Sequence, residues 1–249
     1  MREWWRGLAG ELAGLVLPVG CAGCGAGRAV LCAGCRSELS GAGAGPVRPS
    51  PCPGGLPAVY AATVYREAVR AVVLAHKERG ALPLAGALGA ALAAAVRAGG
   101  AGRAGGGVAL VPVPSARQRV RARGHDPALR IALAASARLR REGVPARVTP
   151  VLRLRRAVAD QAGLGAAQRR ENLAGALRTR PGAGRAMAGA ARIVLVDDLV
   201  TTGSTLVEAA RALREAGIGV LAAAVVAAPA DSFVRPRSGA TRTEQKTGE

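Results

Sequence analysis

Short apolar runs alternate with longer amphipathic stretches along most of the chain. The runs are rich in Val, Ala and Leu and predict buried strands, whereas apolar residues at helical spacing in the longer stretches predict helices. Strands that alternate with helices indicate an α/β fold on a doubly wound, mainly parallel sheet, in which ligands bind at the carboxyl ends of the strands. The predicted strands are 58–65, 108–114, 147–152, 192–198 and 220–227, and the predicted helices are 67–76, 82–97, 127–142, 164–174 and 203–217.

Composition divides the chain into three regions. Residues 1–56 contain apolar positions at helical spacing, a cysteine-rich segment and most of a linker, rich in Gly and Pro, that covers 41–57. Residues 57–230 contain the alternating strands and helices, and the polar, charged residues 231–249 predict a disordered tail. The N-terminal apolar positions are Trp4, Trp5, Leu8, Leu12, Leu15 and Val16, and they predict a short amphipathic helix that packs on the protein itself.

The N-terminal segment lacks the uninterrupted apolar stretch of a signal peptide, because Glu11 divides it. Nor does any stretch supply the roughly 20 apolar residues that a membrane span needs. We therefore expect a cytoplasmic protein without a membrane span.

The net charge of +19 favours an anionic partner such as phosphate, nucleic acid or lipid headgroups. Only Lys77 and Lys246 are lysines, and the other basic residues are Arg. Abundant Arg, Ala, Gly and Pro is also the pattern of a GC-rich coding sequence. A dedicated anionic partner and a surface made basic by codon usage both remain open.

Four cysteines, Cys21, Cys24, Cys32 and Cys35, form two CxxC pairs. Two residues between thiolates allow one tight turn to present both sulfurs to one ion, and two such turns complete a tetrahedron, so we expect a closed structural zinc site. Two disulfides are the alternative, which a reducing cytoplasm disfavours, and an iron–sulfur cluster is a further one. Cys52 stands apart and is interpreted as an ordinary linker thiol.

The segment 191–206, ARIVLVDDLVTTGSTL, joins a predicted strand to a predicted helix. Its hydroxyls and the unpaired N–H groups at the helix start favour a phosphate dianion, whereas Asp197 and Asp198 would repel one unless they face sugar hydroxyls or a metal. We therefore expect a phosphorylated sugar, and the alternative is a helix cap beside two solvated acids. The loop residues that would hold the phosphate are Thr201, Thr202, Gly203, Ser204 and Thr205.

These motifs together resemble a type I phosphoribosyltransferase, and specifically the competence protein ComF family. The resemblance rests on the acid pair with its TTGST loop, the two CxxC pairs, AHKERG, VPVPSARQRVRARGH and DQAGLGAAQRRENLAGAL, in that family's order. It implies a phosphoribosyltransferase fold with a small hood and a site for phosphoribosyl pyrophosphate with magnesium, where Asp197 and Asp198 hold the ribose hydroxyls. It further implies a pyrophosphate loop at Val111, Pro112, Val113, Pro114 and Ser115, and a mobile loop and hood with Gln161, Arg169, Arg170 and Asn172.

Lys77 and an arginine-rich segment are expected near the pyrophosphate. A lysine in a chain that otherwise uses Arg indicates that a compact charge is needed, with a random surface lysine as the alternative. Arg117, Arg119, Arg121 and Arg123 occupy alternate positions and would share one face of an extended loop. That face would bind pyrophosphate, follow a nucleic-acid backbone or remain solvated. His125 is expected to be structural.

Departures from the family pattern bear on the second substrate. This chain has RGHDP where RGFNQ is usual, Val158 where Thr is common, and Glu78 where an aromatic follows the lysine. Purine-salvage phosphoribosyltransferases resemble this loop but carry an Asp at the position of Thr201, and a hydroxyl cannot replace that base at neutral pH. A 6-oxopurine acceptor is therefore disfavoured.

Three functions follow from the resemblance. The first is a magnesium-dependent phosphoribosyltransferase with an unknown acceptor, associated with natural competence and DNA uptake. The second is a non-catalytic competence factor that binds single-stranded DNA, with a competence helicase as a partner. The third is a regulator that senses phosphoribosyl pyrophosphate.

Overall fold

A six-stranded sheet lies at the centre of the computed structural model, which describes residues 20–27, 29–101, 106–156, 168 and 172–234. The strands are β1 (Gly45–Val47), β2 (Val59–Val64), β3 (Gly107–Pro112), β4 (Ala146–Val148), β5 (Leu152–Leu154), β6 (Leu177–Thr179), β7 (Ala190–Leu199) and β8 (Ala222–Ala228). The helices are α1 (Ala33–Glu38), α2 (Glu67–Glu78), α3 (Ala85–Ala98), α4 (Arg117–Arg123), α5 (Pro127–Arg141), α6 (Ala183–Met187) and α7 (Ser204–Glu215), with 3₁₀ turns at Leu82–Leu84 and Ala230–Ser232.

The main sheet has the strand order β1-β2-β8-β7-β3-β4, and β5 and β6 form a separate antiparallel pair. In the main sheet only β1 is antiparallel to its neighbour. Helices α2, α3 and α5 cover one face and α7 covers the other. Strand β7 serves both cores, because Val194 and Val196 pack into the first and Leu195 into the second. The predicted doubly wound α/β fold is confirmed.

The order of the strands reverses between β3 and β7, which lie side by side with Val111 opposite Leu195. The chain leaves β3 through α5 towards β4, and it leaves β7 through α7 towards β8, in the opposite direction. Loops that diverge in this way leave a crevice at the carboxyl ends of the two strands, which is where ligands bind in doubly wound sheets.

Most predicted elements appear close to their expected bounds, but the predicted strand 147–152 is wrong. The structure divides this region into β4, which is parallel to β3, and β5, which pairs with β6. The break falls at Thr149 and Pro150, and a proline has no N–H with which to continue the hydrogen bonding of a strand. The predicted helix 164–174 lies mostly outside the described residues.

Strand β1 lies inside the segment that the sequence predicts to be a linker. It pairs with β2 on one side, and on the other the Arg48 N–H donates to the Ser232 carbonyl at 2.7 Å and the Val234 N–H to the Pro46 carbonyl at 3.1 Å. Residues 232–234 are therefore paired with this edge of the sheet, so the prediction of a disordered tail is wrong for them, and residues 235–249 lie outside the described residues. The predicted N-terminal helix lies outside the described residues.

The cysteine-rich segment is joined to the main core. Cys35 and Leu39 on and after α1 are buried with Val69 and Val72 of α2. Among the helices that the structure describes, none combines the length and the apolar character needed to cross a membrane.

Candidate functional site

Asp197 and Asp198 lie near the carboxyl end of β7, beside the crevice between β3 and β7. Asp198 is buried, and its Oδ2 accepts a hydrogen bond of 2.7 Å from Nζ of Lys77, in the last turn of α2. Asp197 is half-buried, and its Oδ1 accepts the backbone N–H of Asp198 at 2.8 Å. Lys77 therefore offsets part of the charge of the acid pair, which reduces its repulsion of a nearby anion.

The three groups influence one another's ionisation. Burial and the adjacent Asp198 carboxylate raise the pKa of Asp197 well above its ordinary value. Desolvation acts to lower the pKa of Lys77, but the charges of Asp198 and Asp197 outweigh it and raise that pKa. Lys77 is thus charged at neutral pH, while Asp197 favours its protonated form more than a solvated carboxyl does.

The loop after β7 forms a small pocket at the start of α7, lined by residues 199–206. Gly203 has a left-handed φ of 75° and lets the chain turn directly into the helix. Thr202 and Ser204 line this pocket, their hydroxyls lie 3.0 Å apart, and the Ser204 N–H at the start of α7 donates to Oγ1 of Thr202 at 3.5 Å. Thr201 and Thr205 also line it, so the five predicted phosphate-loop residues are brought together.

The predicted linker supports this loop. A Cβ on Gly203 would lie 2.9 Å from Cδ1 of Leu56 and 3.4 Å from Cγ of Pro53. These apolar side chains pack against the backbone at the helix start and fix the position of the turn.

The predicted pyrophosphate loop follows β3 and lies beside the end of β7. Pro112 is opposite Val196, and the Val113 N–H donates to the Val196 carbonyl at 2.9 Å, so the pairing continues past β3. Val111, Pro112 and Val113 are buried, and Pro114 and Ser115 are the partly exposed residues of the predicted loop.

Asp126 fixes the end of this loop. Its carboxylate accepts the Ser115 hydroxyl at 3.3 Å, the Ser115 N–H at 3.4 Å and the Leu129 N–H at 3.3 Å. The Asp-Pro pair thus caps α5, with Pro127 in the first helical position. Asp126 and Pro127, which depart from the usual RGFNQ pattern, therefore link the loop to the start of α5. An Asp directly before a Pro is typical of a helix start, so the sequence did carry this signal.

The expectation of an extended arginine loop is wrong, because Arg117–Arg123 forms α4. Arg, Gln and Ala are strong helix formers, and alternate positions on a helix point to different sides. Arg123 is mostly buried and its Nη2 donates to Oε1 of Glu78 at 2.6 Å, whereas Arg117 and Arg121 are exposed. Arg123 thus contacts Glu78, the residue that directly follows Lys77, and it does not share one face with the other arginines.

Gln161, Arg169 and Arg170 lie outside the described residues. The carbonyl of Asn172 accepts a hydrogen bond of 2.9 Å from Nη2 of Arg156, which also donates to the Ala174 carbonyl at 3.1 Å. These contacts join the two described ends of the segment that the resemblance assigns to the mobile loop.

Glu208 and Arg211 of α7 form a contact that the sequence reading missed. The buried Glu208 accepts the Leu177 N–H at 2.9 Å, and Arg211 donates to the Leu177 carbonyl at 3.0 Å and to Glu208 at 2.7 Å. Both backbone groups of Leu177 are thus satisfied, and β6 is fixed to the helix that starts at the phosphate loop. An acidic residue on the apolar face of a helix was the available signal.

The four cysteines are positioned to bind a metal ion, since the sulfurs of Cys21, Cys24, Cys32 and Cys35 all lie within 4.8 Å of one another. Burial acts to raise the pKa of Cys21, but backbone N–H groups that donate to its sulfur outweigh it and lower the pKa to about 6. Two of these donors are the N–H groups of Gly23 (3.4 Å) and Cys32 (3.3 Å). Such donors stabilise a thiolate, the form that binds metals. Cys52 is an exposed free thiol outside this cluster.

Comparison with known proteins finds a family match in the last third of the chain. No curated protein matches the sequence. Residues 174–247 match the family model described as the phosphoribosyl transferase domain, and the matched segment contains the acid pair, the phosphate loop and α7. The mainly parallel α/β sheet is consistent with the phosphoribosyltransferase fold, and the match supports a place in the type I phosphoribosyltransferase superfamily.

Proposed function

We propose that this protein binds phosphoribosyl pyrophosphate with magnesium and transfers its phosphoribosyl group. The observation that carries the proposal is the meeting of an acid pair, a charged lysine and a phosphate pocket at the crevice between β3 and β7. A sugar phosphate with a second charged end requires these three chemistries side by side.

Each part of the site has a role in this proposal. The residues 201–205 and the start of α7 bind the 5′-phosphate, because hydroxyls line the pocket there and the first N–H groups of a helix have no partner inside the helix. Asp197 and Asp198 accept hydrogen bonds from the ribose hydroxyls. The loop at 111–115 binds the pyrophosphate, and Lys77 lies close enough to the acid pair to add positive charge at that side. Magnesium would be held by the pyrophosphate and would supply neutralising charge.

The reaction would displace pyrophosphate from ribose C1 through an oxocarbenium-like state. No nucleophile from the protein is needed, so the contribution of the chain is to orient the sugar and to stabilise charge. Thr201 occupies the position of the base in the purine-salvage enzymes, and a threonine hydroxyl does not take a proton at neutral pH. The acceptor is therefore expected to lie outside the 6-oxopurines.

The four-cysteine cluster is proposed to hold structural zinc. A tetrahedron of Zn–S bonds of about 2.3 Å separates its sulfurs by about 3.8 Å, and Sγ of Cys24 lies 3.7 Å from Sγ of Cys32. Four protein ligands leave no open position for catalysis. With the zinc site, the ComF resemblance supports a role in natural competence.

Calorimetry with phosphoribosyl pyrophosphate and magnesium tests the proposed ligand. We expect the wild type to bind, Asp198→Ala to lose about tenfold or more in affinity, and Asp231→Ala, an exposed acid in the 3₁₀ turn after β8, to bind like the wild type. A wild type that does not bind would overturn the proposal. Release of pyrophosphate separates an enzyme from a sensor that only binds the ligand.

Binding of single-stranded DNA is a second candidate, favoured by the arginines of the β5 and β6 pair. Arg153 and Arg178 lie directly opposite each other, and like charges in this position repel. An anionic backbone would relieve that repulsion. If DNA binds here, Arg178→Gln should weaken binding to oligonucleotides of every sequence and lower the salt dependence by about one phosphate contact, whereas Arg141→Gln on α5 should not.

A further inference from the structure

His125 joins two parts of the site that are distant in the chain. Its side chain is buried, with Nε2 3.1 Å from the backbone carbonyl oxygen of His76 and Nδ1 3.1 Å from that of Arg123. A neutral imidazole donates from one nitrogen only, and we assign the proton to Nε2, which then donates to the His76 carbonyl. The carbonyl of His76 lies in the last turn of α2, where carbonyls have no partner inside the helix. His125 therefore caps the end of α2 from another segment.

The helix end that His125 caps carries Lys77. Lys77 directly follows His76, so a hydrogen bond to the His76 carbonyl fixes the peptide that leads into Lys77. The rings of His125 and His76 also pack with their centroids 5.4 Å apart. The hydrogen bond between the Lys77 ammonium and Asp198 thus depends on the position of a peptide group that is bound by His125.

The same segment is attached to the pyrophosphate loop. Gly124 has a left-handed φ of 74°, ends α4 and turns the chain so that His125 faces α2. The next residue, Asp126, accepts the N–H and hydroxyl of Ser115. Residues 124–126 therefore connect the helix that carries Lys77 to the loop after β3.

We infer that His125 is a positioning residue for the pyrophosphate end of the site, through its hydrogen bond to the His76 carbonyl. The inference rests on the proposed function. The nearby ion pair between Arg123 and Glu78 joins the same elements, but the Glu78 side chain is 46% exposed, so its contribution is small. The 5′-phosphate pocket is built from a different loop and is independent of His125.

Three substitutions separate the two contacts of the ring. His125→Phe keeps a ring of similar size and removes both. His125→Gln places an N–H₂ group near the position of Nε2, and His125→Asn places one near Nδ1. Glu78→Gln is the matched control for the exposed ion pair.

The first measurement needs no ligand. Lys77 and Lys246 are the only lysines, so mass spectrometry follows amine labelling at Lys77 with Lys246 as an internal reference. A weaker contact with Asp198 lowers the pKa of Lys77 and raises the fraction of reactive neutral amine. We expect several-fold faster labelling in His125→Phe and His125→Asn, and rates like the wild type in His125→Gln and Glu78→Gln.

The second measurement compares magnesium pyrophosphate with ribose 5-phosphate by calorimetry. We expect His125→Phe and His125→Asn to bind magnesium pyrophosphate about tenfold more weakly, His125→Gln to recover most of the affinity, and ribose 5-phosphate to bind all variants equally. Unchanged labelling of Lys77 in His125→Phe, equal recovery by Asn and Gln, or equal weakening of both ligands would overturn the inference. A wild type that binds neither ligand would overturn the proposed function, while the labelling result still decides whether His125 positions Lys77.

Discussion

Lys77 donates a hydrogen bond of 2.7 Å to Asp198 across 121 positions of the chain. The Asp198 side chain is 8% exposed and that of Lys77 30%, so the pair is shielded from solvent on the side of the acid. A buried carboxylate that loses its partner keeps the cost of desolvation without the compensating attraction. The pair therefore affects stability as well as the proposed site.

We predict that Lys77→Met lowers the free energy of unfolding by about 2–3 kcal/mol at pH 7, because Asp198 is left unpaired. Adding Asp198→Asn should recover part of this loss, since the amide carries no charge to desolvate. Urea denaturation of the single and double variants measures the coupling energy between Lys77 and Asp198. Losses that simply add in the double variant would contradict the predicted coupling. The pKa of Lys77 is raised by folding, so its contribution is complete below about pH 10.4 and is lost as the pH rises through the raised value.

Asp197→Asn is predicted to stabilise the protein at neutral pH. Folding raises the pKa of Asp197, so the wild type loses stability as the pH rises from about 3.9 towards the raised value. Asparagine has no charge to lose, and its carbonyl can still accept the Asp198 N–H. We expect a gain of roughly 1–3 kcal/mol at pH 7 that vanishes below about pH 3.9. Thermal melts at a series of pH values measure it, and a gain that is independent of pH would contradict the assigned cause.

Glu208→Gln and Glu215→Gln form a matched pair, because both acids contact Arg211. Glu208 is buried, and although burial acts to raise its pKa, hydrogen bonds from Arg211 and Leu177 outweigh this and lower it. We predict a loss of about 1–3 kcal/mol for Glu208→Gln and below about 0.5 kcal/mol for Glu215→Gln, whose side chain is 67% exposed.

The loss in Glu208→Gln should depend on pH. A lowered pKa in the folded state contributes stability above about pH 4.3, and this contribution disappears as the pH falls through the lowered value. The difference in the free energy of unfolding between Glu208→Gln and the wild type should therefore disappear at acidic pH. Denaturant titrations at pH 7 and pH 3 compare the variants, and an equal loss from Glu215→Gln would show that burial does not decide the contribution.

Gly203→Ala is predicted to destabilise the phosphate loop more than Gly182→Ala destabilises the start of α6. Both glycines have a left-handed φ, 75° and 77°, so the conformational cost of about 1–2 kcal/mol is shared. Only Gly203 has Leu56 within 2.9 Å of the added Cβ, whereas nothing lies within 4 Å at Gly182. The difference in melting temperature measures the contact, and Leu56→Ala should reduce it.

The strands and helices around the crevice could be predicted because their signals are local. The short apolar run 192–198 is typical of a buried strand, and the stretch 203–217 has apolar residues at helical spacing. Gly203 and Gly217 mark the two ends of that helix. The loop at 201–205 follows from the same local pattern, since hydroxyls and a glycine at a helix start favour either a helix cap or an anion site. The strand, the turn at Gly203 and the helix agree between sequence and structure, and the binding role of the loop stays a prediction.

The remaining parts depend on contacts between distant residues. Alternating arginines at 117–123 suit an extended loop as well as a helix, and only propensity and Gly124 favour the helix that forms. The bond from His125 to His76 spans 49 positions and that from Leu177 to Glu208 spans 31, and no local period encodes either. Strand β1 lies in a Gly/Pro-rich segment and is stabilised by pairing with β2 and residues 232–234.

The cysteine cluster gives a prediction with an internal control. Cys24 is exposed but belongs to the cluster, and Cys52 is also exposed and lies outside it. If the cluster holds zinc, the purified protein should contain one zinc ion per chain, which Cys24→Ser should reduce and Cys52→Ser should not. Thiol titration of the native protein should find one fast thiol, Cys52, and addition of a chelator should release the other four of the five cysteines.

Because Cys35 and Leu39 are buried with Val69 and Val72, loss of the metal should also lower the melting temperature. Five fast thiols in the untreated wild type would contradict the zinc site.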